Sequence, residues 1–216
     1  MVSENFVIDV WSDVVCPFCY LGTRQLADAL EHFEHRGEVV LRQRAFELDR
    51  HTPLHLERSL AELVAQKYSM PVGRVHDMHA RMEGEARELG MEWSFDTARP
   101  TNSFDAHRVI ALGSSQGLGN EIAERLFRAY FSEGQLISDH DRLTALATEV
   151  GVEGADELWS NDSFVDEVRA DEIAAEELGI TGVPCLLLDG KFMVVGARGA
   201  HEILDVLRRA WARRAA

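Results

Sequence analysis

Positive charge is scarce in this 216-residue sequence: 22 Lys and Arg stand against 37 Asp and Glu, a formal net charge of -15. A surface of that sign repels phosphate, which argues against general binding to nucleic acid or to anionic membranes and leaves small substrates open. Long apolar runs are missing too, and none approaches the ~20 residues of a membrane-spanning helix. The first fifteen residues, MVSENFVIDVWSDVV, carry no basic stretch ahead of an apolar one, so they do not read as a secretory signal. The expectation is a cytoplasmic protein. Cysteine is rare, with three in the chain, too few for a disulfide framework in a reducing compartment; a C-x-x-C pair there points to redox chemistry or to a metal. There is no Gly-rich phosphate loop, internal repeat or low-complexity tract, so no nucleotide or flavin is expected.

What is present is enough apolar character for a packed core, 46% hydrophobic residues beside 27% charged. Asn5 to Ser12 alternates like a half-buried strand. A helix should follow from about Cys16 to Arg36, closed by Gly37, with Leu21, Leu26, Leu30 and Phe33 on its buried stripe. Glu38 to Glu47 reads as a second strand, and strand-helix-strand order implies a parallel pair. Helical spacing then fills the middle, over Leu56 to Tyr68, Pro71 to Leu89, Ser103 to Ser114, Glu121 to Phe131 and Asp139 to Val150. Another helix covers Phe164 to Leu178. CLLLD and KFMVV, separated by Asp189-Gly190, carry a hairpin signal, and a last helix runs from about Ala200 to Arg213. The sum is an α/β chain of β-α-β, a helical insertion and β-β-α, with a split domain at 1–50 and 171–216 and an all-helical insertion at 51–170.

The chemistry concentrates in WSDVVCPFCYLG, Trp11 to Gly22. Cys16 falls at the expected helix N-cap and Pro17 at the first helical position, where a missing N–H costs nothing. Free N–H groups and the positive end of the helix dipole would face the Cys16 sulfur and favour its thiolate. In comparable C-x-x-C sites the nucleophile's pKa falls to roughly 3.5 to 7.5. Cys19, one turn on and pointing more inward, is the expected resolving thiol, and Phe18 offers an apolar contact. A zinc site needs about four ligands and C-x-x-C supplies two. His76 and His79, an i, i+3 pair in the insertion, read as solvated on a charged helix, so no metal is expected. The second motif, Thr181-Gly182-Val183-Pro184, directly precedes a strand pattern. A cis Val183-Pro184 bond is expected there, with Val183 backbone groups facing Cys16 and open to a substrate chain.

With these motifs in this order, the sequence resembles the DsbA family of thiol-disulfide oxidoreductases, and most closely the FrnE-type dithiol-disulfide isomerases. RAFEL at Arg44 to Leu48, TNSFDAHRV at Thr101 to Val109, RAYFSEG at Arg128 to Gly134 and ADEIAAEELGITGVP at Ala170 to Pro184 extend the likeness over nearly the whole chain. The resemblance implies a thioredoxin fold with a helical insertion, Cys16 as attacking thiol, Cys19 as resolver and Pro184 as the cis-proline. It also implies that Trp11, Pro17, Phe18, Val183, Asn102, Phe104 and His107 serve substrate binding. Substrates would be thiol- or disulfide-containing proteins or small molecules, with a cellular thiol reductant as partner and glutathione as a candidate co-substrate. Two positions depart from the family: Ala45 stands where relatives tend to have proline, and Cys185 follows Pro184, where it is expected to be buried and inert. Kappa-class glutathione transferases and 2-hydroxychromene-2-carboxylate isomerases share the frame but carry serine where Cys16 stands, which makes glutathione-dependent transfer or isomerisation the alternative activity. A chaperone-like binding module is the non-enzymatic alternative.

Overall fold

The computed structural model describes residues 5–214. Four strands, β1 (Phe6–Ser12), β2 (Val39–Ala45), β3 (Cys185–Leu188) and β4 (Phe192–Val195), form one sheet in the order β2-β1-β3-β4. β1 pairs parallel with β2, from Phe6 opposite Val39 to Ser12 opposite Ala45, and antiparallel with β3. The parallel pair requires a crossover, supplied by α1 (Pro17–Glu31). Asp189 and Gly190 both take positive φ, 51° and 68°, and close the β3-β4 hairpin as the Asp-Gly signal requires.

β1 alternates as half-buried strands do. Phe6, Ile8 and Val10 enter a core with Leu26 and Ala29 of α1 and with Ile203, Leu207 and Ala210 of α8 (Ala200–Ala212). α1 is shorter than the spacing predicts: it ends at Glu31, and Gly37 lies inside a separate 3-10 turn, Arg36–Glu38. Phe33 explains the early exit, since outside the helix its ring packs against Phe6 and Trp211 at 6.1 and 6.0 Å.

Between β2 and β3 lie α2 (Leu60–Lys67), α3 (Val72–Glu88), α4 (Phe104–Ser115), α5 (Gly119–Phe131), α6 (His140–Glu149) and α7 (Val165–Glu177). α2 starts later than expected because Ser59 and Glu62 form a reciprocal capping box that fixes the first turn. A 3-10 segment, Ala155–Ser160, was not signalled by periodicity. Two strong side-chain ties fasten α7 to the sheet: Arg44 reaches both Asp9 and Asp171 at 2.8 Å, and Trp11 Nε1 donates to the Asp171 carbonyl at 2.9 Å. Ala45 also donates its N–H to Asp171 Oδ2 at 3.1 Å. A proline at position 45 has no N–H to give, so this departure from the family pattern gains a bond.

Candidate active site

β1 delivers the chain to a tight turn at Asp13, whose carbonyl accepts Cys16 N–H at 3.0 Å. The Asp13 carboxylate accepts Val15 N–H at 3.3 Å and Leu48 N–H at 2.7 Å, so a fully buried acid anchors the turn. Cys16 is the N-cap of α1, in extended geometry, with Pro17 at the first helical position. No side chain caps this helix; Pro17 has no N–H and Cys19 N–H donates to the Cys16 carbonyl at 3.1 Å, which leaves the Phe18 amide to the sulfur and to whatever approaches it.

Cys16 is 4% exposed and Cys19 is fully buried. Burial, and then the neighbouring Cys16 side chain, push the Cys19 thiol well above its ordinary value. The Cys16 thiol donates to the Val183 carbonyl at a sulfur-oxygen distance of 3.8 Å, and the Val183-Pro184 peptide bond is cis. The two motifs, with Cys16 and Val183 167 residues apart, therefore meet at one sulfur. Cys185 is buried opposite Trp11 in the β1-β3 pair, and burial lifts its thiol to about 11. It is out of reach of solvent, as expected.

Gly22 shows how tightly this corner is built. A Cβ added there would lie 2.9 Å from Pro184 Cγ. Gly-to-Ala inside a helix ordinarily stabilises by up to about 1 kcal/mol. At Gly22 the sign is expected to reverse, because Pro184 must move off the helix. Gly22→Ala should lower the melting temperature by several degrees and slow disulfide exchange, whereas a raised melting temperature would show that the contact does not constrain Pro184.

Cys16, Pro17, Phe18 and Val183 share one wall of a cavity of about 420 Å³. α2 and α3 form the opposite wall through Leu60, Leu63, Val64, Met78 and Met82. The other four residues implied by the resemblance are placed elsewhere. Trp11 is buried against Ala175 and Ile180. Asn102 accepts Phe104 N–H at 2.9 Å and donates to Glu47 at 3.2 Å. The Phe104 ring lies 4.2 Å from the Arg169 guanidinium, which also holds Glu47 and Glu172 at 2.7 and 2.6 Å. His107 is 2% exposed, with Nε2 3.6 Å from Asp13 Oδ1, an ion-pair approach longer than a hydrogen bond. Burial works against its charged form, yet Asp13, Glu47 and Glu172 together hold His107 above its ordinary value. None of the four is among the residues that line the cavity, and of them His107 is the one that approaches the turn under the cysteines, at Asp13.

Sequence reasoning missed Asp13, Tyr130 and the apolar lining from α2 and α3. Asp13 has a faint signal, an Asp placed to accept an amide two residues on. His79 is a correction: it is 6% exposed and stacked on Phe95 at 4.2 Å, because it sits on the inner face of α3 with Val75 and Met82, while His76 on the outer face is exposed. Among the described residues no group of three or more His, Cys, Asp or Glu is arranged to hold a metal, and no helix is long and apolar enough to cross a membrane.

Known proteins resemble this chain in sequence and in fold. The uncharacterized protein YwbO of Bacillus subtilis is 30% identical over 199 residues, 89% of this chain and 90% of that protein. A crystal structure of the probable DsbA oxidoreductase SCO1869 from Streptomyces coelicolor is 29% identical, with a TM-score of 0.91 over 96% of this chain and 91% of that one. The cytosolic disulfide reductase DsbM of Pseudomonas aeruginosa, solved also with glutathione, shares the fold at 21% identity and a TM-score of 0.66, over 97% of this chain and 100% of that one. The model of the DSBA-like thioredoxin domain matches residues 7–208, and the chain belongs to that family.

Proposed function

We propose that the protein is a thiol-disulfide oxidoreductase or isomerase that exchanges disulfides through Cys16 and Cys19, acting on thiol- or disulfide-containing molecules in the cytoplasm. One observation carries the reading: a thiol at an uncapped helix N-terminus opens onto a cavity with a second, fully buried thiol one turn behind it. Membership of a family of disulfide oxidoreductases supports it.

In the reducing direction, the Cys16 thiolate attacks one sulfur of a substrate disulfide. A Cys16-substrate disulfide forms and the other substrate sulfur leaves as thiolate, taking up a proton. Cys19 then loses its proton and attacks Cys16 Sγ, which closes the Cys16-Cys19 disulfide and expels the second substrate thiolate. The substrate gains two electrons and the protein loses them; an external thiol reductant restores the dithiol. The oxidising direction is the same path reversed. Pro17 and Phe18 flank the attacked sulfur, and the Val183 carbonyl orients Cys16. No cofactor beyond the cysteine pair is required.

The test is turnover of bis(2-hydroxyethyl) disulfide with dithiothreitol as reductant. A rate that rises linearly with protein and exceeds the uncatalysed exchange supports the proposal. Exchange at the background rate, together with conjugation of glutathione to an electrophile, would replace it with the transferase reading.

A further inference from the structure

The cavity beside Cys16 runs deeper than a groove for an extended chain needs. Its lining continues past Met78 and Met82 to Phe95 and Tyr130, residues only 3% and 1% exposed. At about 420 Å³ it falls within the range of small-molecule sites. Two polar groups face this interior without partners. Tyr130 makes no hydrogen bond among the described residues, and burial holds its phenol protonated, so it is a donor in search of an acceptor. The His79 ring makes none either, and burial, with His76, keeps it below its ordinary value and neutral. Neither group is sealed off in the way Trp93 Nε1, His107 Nε2 and Glu172 Oε1 are, so both are open to the cavity and to a ligand that displaces its water.

Charge narrows the ligand further. The ionisable lining groups besides Cys16, Tyr130 and His79 are Lys67, Asp49 and Tyr68, all exposed, and the charges of Lys67 and Asp49 are opposite in sign. Apart from the α1 N-terminus, which faces the Cys16 sulfur, nothing inside compensates a carboxylate, and the chain's net charge of -15 adds a repulsive field. A tripeptide thiol with two carboxylates is poorly matched. So is a folded protein, which cannot reach Tyr130 at the cavity's inner end.

We propose that the substrate of this site is a small uncharged organic disulfide with an apolar, aromatic-sized body and a carbonyl-type acceptor that reaches Tyr130 and His79 while its sulfur meets Cys16. This rests on the exchange activity proposed above for its chemistry, though not for its binding. The body would sit between Met78, Met82 and Phe95, and the two-electron steps are those already written, with dithiothreitol as reductant in the assay.

Unreactive thioethers separate binding from exchange. In the parent protein, 4-acetylbenzyl methyl sulfide is expected to bind at one saturable site, shifting the methyl resonances of Met78 and Met82. S-methylglutathione is expected to bind at least about tenfold more weakly, the effect of burying one aromatic group against leaving it in water. Equal affinity, or no binding of the aryl sulfide, would overturn the inference. Tyr130→Phe should weaken the acetyl probe severalfold more than it weakens benzyl methyl sulfide, and equal losses would remove the phenol from the account.

The matching disulfides, 4-acetylbenzyl methyl disulfide, glutathione disulfide and a reduced-and-reoxidised unfolded protein, are then compared after dividing each rate by its rate with dithiothreitol alone. A preference of about tenfold or more for the aryl disulfide is expected, on the same burial argument. If all three follow their intrinsic reactivity, the exchange reading stands and this inference falls. If the aryl sulfide binds but no disulfide is exchanged, the cavity assignment stands and the exchange reading falls.

Discussion

Replacing Cys16 with serine is expected to bring disulfide exchange down to the uncatalysed rate, a loss on the order of 10³-fold or more. Serine has no accessible anion near neutral pH and cannot form a mixed disulfide, so the first step has no substitute. Folding should survive. The hydroxyl can donate to the Val183 carbonyl as the thiol does, and one exchanged hydrogen bond at this N-cap is worth about 1 kcal/mol. Turnover with dithiothreitol, beside a melting curve, checks both halves of the expectation. Retained exchange in Cys16→Ser would move the nucleophile elsewhere. A chaperone-like module that merely holds chains in the cavity would keep its binding in this variant, which separates that alternative from an enzyme.

Cys19→Ser should have the opposite kinetic character. Attack by Cys16 proceeds, release fails, and a Cys16-substrate disulfide accumulates to near stoichiometry, visible as an added mass in intact-protein mass spectrometry. In the parent protein the release step carries the pH dependence. Burial and the adjacent Cys16 side chain raise the Cys19 thiol well above its ordinary value, so near neutrality it is protonated. Its ionised fraction, and with it the release rate, should rise about tenfold per pH unit below that value. Rapid-mixing kinetics between pH 6.5 and 8.5 would show the slope. Release by Cys19→Ser as fast as by the parent would show that Cys19 is not the resolver.

The parts of this site that could be read in the sequence are those whose signals are local. Cys16 and Pro17 sit where a cap and a first helical residue belong. The alternation of β1, the Asp189-Gly190 hairpin and the Pro184 strand start are equally short-range patterns. The parts that were not legible depend on distant partners. Asp13 matters because Leu48 N–H and His107 close over it, and His107 is 94 residues away in the chain by the difference of their numbers. Phe33 ends α1 early because Trp211, at the far end of the chain, offers it an aromatic neighbour. His79 looks solvated when only the charges of its helix are counted; its burial against Phe95 appears when α3 is docked on the core. Tyr130 reads as one more apolar residue on α5, and only the cavity reveals that its hydroxyl is without a partner.

The central claim, that Cys16 and Cys19 form one two-electron redox pair, is tested most directly by equilibrating the protein in glutathione buffers of graded ratio. Mass-tagged alkylation and peptide mapping then count each thiol. The account predicts a single cooperative transition in which Cys16 and Cys19 lose their labels together, with Cys185 alkylated only after unfolding and the midpoint giving the direction of physiological electron flow. The contrary result is a protein whose Cys16 and Cys19 never pair in any buffer, or in which Cys16 pairs with Cys185.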